Sequence, residues 1–167
     1  VHFAIDTALY DIQAQHDNIP LSKLCNKEAL SRVEFSQALI SRKSTINNDV
    51  VKLKIGVHRI DDDISFLNQI SRKHPSLKIR LDANQQFSVK EFESLYNNIS
   101  HLKIDFFEEP IKNPNIKTIE YIKNKYPGLR YAVDESLYQK TNYDDWIQRD
   151  LIDAVVVRPS VLGGFGK

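Results

Sequence analysis

Charged residues close a series of short apolar runs at nearly even intervals, and this regularity restricts the fold more than any other feature of the chain. The runs are Val33-Glu34-Phe35 to Leu39-Ile40, Val50–Ile55, Leu77–Leu81, Ile104–Phe107, Leu129–Val133 and Ala154–Val157. Polar groups follow at Lys54, Asp82, Glu108-Glu109, Asp134-Glu135 and Arg158. The acids are 26 residues apart (108 − 82 and 134 − 108), with outer steps of 28 (82 − 54) and 24 (158 − 134). Between the runs, Ile60, Ile64, Leu67 and Ile70 share one helical face, as do Phe92, Leu95 and Ile99, and then Ile119, Ile122 and Tyr126. Strand and helix therefore alternate, which predicts right-handed crossovers and a parallel sheet, either open or closed into a barrel. Equivalent positions on neighbouring parallel strands lie side by side, so the charged residues converge at one end of the sheet. In parallel barrels that end carries the active site.

The opening segment Phe3–Ile12 spaces its apolar residues at three and four, an amphipathic helix that ends before Pro20. Residues 1–30 form a helical lead, and residues 31–167 form the β/α domain. With 23 Lys+Arg against 22 Asp+Glu, the chain has no electrostatic reason to bind nucleic acid or an anionic membrane. No stretch approaches the roughly 18 apolar residues that cross a bilayer. The single cysteine, Cys25, makes neither an internal disulfide nor a zinc cluster, which fits a reducing, cytoplasmic setting.

Asp82, Glu108 and Asp134, one from each of three adjacent strands, repel one another when ionised side by side. For one acid alone a helix N-cap is the simpler reading. Three in register beside two lysines favour a hard divalent cation, and oxygen-only ligation selects Mg2+, with Mn2+ as a substitute, over zinc. Lys52 and Lys54 are two residues apart and point to one face of a strand. Taken alone, such a pair reads as solubilising charge on an edge strand. If the shared face lines a barrel interior, mutual repulsion and a nearby cation lower the pKa of one lysine toward neutrality, where it can abstract a proton.

The strings Val51-Lys52-Leu53-Lys54-Ile55-Gly56, Arg80-Leu81-Asp82-Ala83-Asn84, Phe107-Glu108-Glu109-Pro110 and Val133-Asp134-Glu135-Ser136-Leu137 resemble consecutive strand motifs of the enolase superfamily. They are similar to its muconate-lactonizing subgroup, and within that to the o-succinylbenzoate synthases of menaquinone biosynthesis. The resemblance implies a (β/α)8 TIM-type barrel of which about six strands are present, with the last strands and a capping domain outside this chain. It implies that Asp82, Glu108 and Asp134 bind Mg2+ and that Lys54 is the acid/base acting on a small-molecule carboxylate. Lys52 tunes Lys54 and contacts the substrate carboxylate, Arg80 and Asn84 orient the first metal ligand or the substrate, and Glu109 and Glu135 stand behind the ligands.

Where the family usually has Lys-Pro-Ser or Lys-Pro-Thr after the sixth strand, this chain has Arg158-Pro159-Ser160. Arginine keeps its proton near neutral pH but still holds an anion. Epimerisation needs a base on each face of the substrate, whereas syn elimination needs Lys54 alone, so the resemblance favours a dehydratase, a carbon–oxygen lyase. The alternatives are a cycloisomerase, a dipeptide epimerase or an acid-sugar dehydratase of the same superfamily, and a non-catalytic partial barrel that self-associates through its open edges. Gly163-Gly164-Phe165-Gly166-Lys167 lacks the spacing of a phosphate-binding loop. His2, His16, His58, His74 and His101 show no ligand spacing and read as surface residues, while Cys25 and Trp146 read as packing residues.

Overall fold

The computed structural model describes residues 2–139 and 143–164. The Phe165–Lys167 part of the glycine-rich string therefore lies outside the described residues. The chain divides into two compact units, Phe35–Val156 on the one hand and Val1–Glu34 with Val157–Lys167 on the other.

The larger unit is built on six parallel strands in sequential order: β1 (Gln37–Leu39), β2 (Val50–Lys54), β3 (Lys78–Asp82), β4 (Ile104–Glu108), β5 (Tyr131–Val133) and β6 (Ala154–Val155). Helices α3 (Ile60–Lys73), α4 (Val89–Ile99) and α5 (Ile116–Lys125) return the chain between β2 and β5. Their starts are set locally. Ser88 and Glu91 form a reciprocal capping box on α4, and the Asn115 side chain accepts the Thr118 N–H on α5. Each helix buries the stripe expected from its spacing, with Leu67 and Ile70, Phe92, Leu95 and Ile99, and Ile119 and Ile122 packed into one core with Ile79, Leu81 and Tyr131. Edge-to-face packing of Phe92 on Phe107, 5.3 Å between centroids at 89°, locks α4 onto β4. Trp146 and Leu151 join this core, as a packing role for Trp146 requires.

The connections flanking this repeat are irregular. β1 and β2 pair in parallel, yet residues 40–49 between them contain no helix. Arg42 in that link bonds the buried Asp63 of α3 at 2.6 Å and lies over the Phe66 ring. Between β5 and β6 the chain uses two short helices, α6 (Glu135–Gln139) and α7 (Tyr143–Gln148).

The smaller unit contains α1 (His2–His16), α2 (Leu21–Cys25) and α8 (Pro159–Leu162). A side chain at Gly164, which has φ +144°, would collide with Asp6 of α1. Ile5, Leu9 and Ile12 recur at helical spacing on α1, but this apolar face is exposed. Cys25 is also exposed, which corrects the packing role read from the sequence. All five histidines are exposed, as surface residues should be. Among the described residues no helix is long and apolar enough to cross a membrane.

Candidate active site at the C-terminal end of the sheet

Strand register aligns the charged residues. Lys54 pairs with Asp82 and Asp82 with Glu108, so the last residues of β2, β3 and β4 stand in one row. Glu108 is opposite Ala132, which places Asp134 one residue past the end of β5. Side chains alternate along a strand, so Lys52, Lys54, Asp82, Glu108 and Asp134 all project from one face. Glu108 and Asp134 are buried, at 1% and 0% exposure.

Lys52 reaches across this row. Its Nζ is 2.8 Å from Glu108 Oε1, 2.7 Å from Oε2 and 3.1 Å from Asp82 Oδ2. Only the Oε1 contact to Glu108 has hydrogen-bond geometry, and Oε2 is left as a buried acceptor without a hydrogen bond. Burial pulls the Lys52 ammonium down, but the bonds and charges of Glu108 and Asp82 outweigh it and hold the pKa above the ordinary value. The expectation of two lysines sharing one enclosed space is corrected accordingly: Lys52 turns to the acids, while Lys54 is exposed. Glu108 is pushed up to about 7, first by burial and then by the charges of Asp82 and Asp134, despite its bond to Lys52.

These side chains fit a hard divalent cation in donor type and charge. Three carboxylates repel one another, and a buried carboxylate oxygen lacks a hydrogen bond. They do not form a ready cage, because no group of three or more acidic, histidine or cysteine side chains among the described residues is placed to hold an ion. The Lys52 ammonium takes the place between Asp82 and Glu108.

The loops after β3, β4 and β5 are tied together. Asn84 donates its backbone N–H to Asp82 Oδ1 at 3.2 Å and its side-chain amide to Glu135 at 2.9 Å. Arg80 turns elsewhere in part: its Nε donates to Asp105 at 2.9 Å, and its guanidinium lies over Phe106. A register shift between Ile79 and Arg80 accompanies this arrangement. Arg158 is not at the end of β6. Val156 makes the last bond to Val133, the chain then leaves the sheet, and Arg158 becomes the N-cap of α8 with Pro159 at its first turn. Gln85 and Ser136, which both bond Glu109, were not legible as functional residues, because nothing in a single sequence distinguishes them from surface polar groups.

Residues 37–167 match the family described as Enolase C-terminal domain-like. The chain belongs to that family. It is 27% identical over its full length to the o-succinylbenzoate synthase of Aliivibrio salmonicida (strain LFI1238), covering 50% of that protein. It is 22% identical to the hydrophobic dipeptide epimerase of Enterococcus faecalis (strain ATCC 700802 / V583), over 96% of this chain and 48% of the relative. An enolase of Pseudomonas fluorescens Pf0-1, solved with bound magnesium, potassium and tartrate, shares the fold. Its TM-score is 0.77 at 16% identity, over 93% of this chain and 42% of that one. This enolase-family chain spans about half the length of the curated relatives it matches. Its six sequential parallel strands are thus part of the TIM-type barrel expected from the sequence.

Proposed function

We propose that the protein is a carbon–oxygen lyase of the o-succinylbenzoate synthase type, which removes water from a small carboxylate by abstracting the proton alpha to the carboxyl group. The observation that carries this reading is the row Lys54, Asp82 and Glu108 at the ends of three adjacent parallel strands, with Asp134 beside it and Lys52 one step below. Asp82, Glu108 and Asp134 are the residues that would hold Mg2+, or Mn2+ in its place. Such an ion, when bound, neutralises the negative charge that builds on the substrate carboxylate.

The remaining steps belong to side chains of the chain. Lys52 attracts the substrate carboxylate to the row, and Asn84, bonded to Asp82 and Glu135, orients the first ligand. Lys54 takes the alpha proton as general base. The electron pair released from the C–H bond forms the new double bond as the C–O bond breaks, and the Lys54 ammonium returns the proton to the departing hydroxyl as water. One residue thus serves as base and then as acid. Arg158 cannot be a second base, which supports elimination over epimerisation. In this reading the substrate is the hydroxylated cyclohexadiene carboxylate whose dehydration gives o-succinylbenzoate, the reaction lies in menaquinone biosynthesis, and the enzyme is cytoplasmic. The dipeptide epimerase relative carries the competing reading, a 1,1-proton transfer.

The test uses the intact protein on a panel of hydroxy-carboxylates, dipeptides and muconate. Dehydration that is abolished by chelation, restored by Mg2+ and lost in Asp82→Asn supports the proposal. Full turnover after chelation, or racemisation of a dipeptide without dehydration, contradicts it.

A further inference from the structure

Glu109 is the most deeply buried acid of the sheet's C-terminal end that the proposed chemistry does not use. At 0% exposure it has no contact with water, yet its carboxylate is saturated. Oε1 accepts the backbone N–H of Asp134 at 2.9 Å and of Ser136 at 2.7 Å. Oε2 accepts the Ser136 hydroxyl at 2.8 Å and the Gln85 amide at 3.1 Å. Its main chain continues the tie, with the N–H bonded to Ala132 O at 3.0 Å and the carbonyl accepting from Gln85 N at 2.6 Å. One residue therefore bridges the loops that follow β3, β4 and β5, each of which starts at one of the three candidate ligands.

The backbone around it is unusual as well. Glu109, Asn84 and Gln85 have φ of +43°, +42° and +58°, in the left-handed region that non-glycine residues rarely occupy. Such a residue is strained, and it persists only where surrounding bonds hold it in place. Asn84 is held by Asp82 and Glu135, whereas the bonds of Gln85 go to the Glu109 carboxylate and carbonyl, and the bent backbone turns that carboxylate away from Glu108 and toward the Asp134 loop.

We infer that Glu109 is a positioning residue that keeps Asp134 beside Asp82 and Glu108, the acids that would close on a divalent cation, by clamping the Asp134 main chain against the β3 and β4 loops. This rests on the reading of those three acids as the metal ligands. The clamp acts through hydrogen bonds and not through charge. A glutamine of the same shape keeps the Oε1 bonds to Asp134 and Ser136. Its NH2 can face the Ser136 hydroxyl, which turns to become an acceptor, and the Gln85 amide, which flips.

The experiment is a Mn2+ titration of the intact protein, followed by electron paramagnetic resonance, on the wild type, Glu109→Gln and Glu109→Ala, with thermal unfolding recorded alongside. Glu109→Ala should bind Mn2+ about 10- to 100-fold more weakly, the usual effect of losing a group that orients a ligand. Glu109→Gln should restore affinity to within a few fold of the wild type. Equal affinity in Glu109→Ala and the wild type overturns the inference and leaves the ligand assignment standing. Affinity as poor in Glu109→Gln as in Glu109→Ala also overturns it, because charge is then the cause. Absence of Mn2+ binding in the wild type overturns the ligand assignment and the clamp together. If Glu109→Ala does not fold, the double variant Gln85→Ala/Ser136→Ala removes the donors to Oε2 and keeps those to Oε1. Weaker binding by several fold then supports the clamp, and unchanged binding refutes it.

Discussion

Lys52 shows how a side-chain orientation changes the meaning of a motif. Its position two residues before Lys54 is legible in the sequence, but its direction depends on Glu108 and Asp82, which arrive from other strands. Removing one partner of a mostly buried ion pair leaves the other charges uncompensated. Lys52→Met should therefore destabilise the metal-free protein by about 2 kcal/mol, less than for a fully buried pair because the lysine is 30% exposed. Combining it with Glu108→Gln should recover much of that loss, since one of the crowded charges is gone. Urea unfolding of the four proteins measures this coupling, and additive losses would show that the pair contributes nothing. Lys54 differs: exposed at the strand end, it is free of the arrangement that engages its neighbour.

Elements hold this row in place through their ends. Gly56, just past β2, has φ +78°, and a Cβ there would lie 2.8 Å from Gln86 Cβ and 3.2 Å from the Phe87 ring. Its N–H bonds the buried Asp63 carboxylate at 2.9 Å. Gly56→Ala is expected to cost about 2 kcal/mol or more through strain and collision together. Ser88→Ala, which opens the capping box of α4, should cost about 1 kcal/mol. Denaturant midpoints at constant slope check both, and a Gly56→Ala protein as stable as the wild type would show that the loop relaxes freely. Strands β2 and β3 and helices α3, α4 and α5 could be read from spacing because each buries a stripe or an alternating face, as α4 does with Phe92, Leu95 and Ile99. Helices α6 and α7 could not, since five or six residues are too short to show a period. The missing helix between β1 and β2 was equally hidden. Arg42 covers Phe66 there, and an arginine in a polar link carries no sign of that role. Arg158 was legible as a substitution but not as a helix cap, because the sheet ends two residues earlier than the apolar run does.

At the scale of the whole molecule, the sheet has β1 and β6 as its outer strands. Unpaired strand backbone invites pairing with another chain, the more so beside apolar surface. Phe35 and Ile40, which flank β1, are 72% and 95% exposed, and Val155 of β6 is 41% exposed. The 167-residue chain should therefore self-associate at micromolar concentration through one or both edges. Sedimentation velocity tests this, and a compact monomer at every concentration would show that the edges are adequately protected. Hydrogen isotope exchange reads out whether Lys54 moves a proton on a carboxylate gathered at the end of the sheet. Intact wild-type protein and Lys54→Arg are each incubated with substrate and Mg2+ in deuterated water, and deuterium at the alpha carbon of recovered substrate and in product is measured by NMR. Lys54→Arg should fold normally while dehydration and any alpha-carbon exchange fall by about 10²–10⁴-fold, because arginine keeps the charge but cannot release its proton. Exchange or dehydration at the wild-type rate in Lys54→Arg would contradict that role.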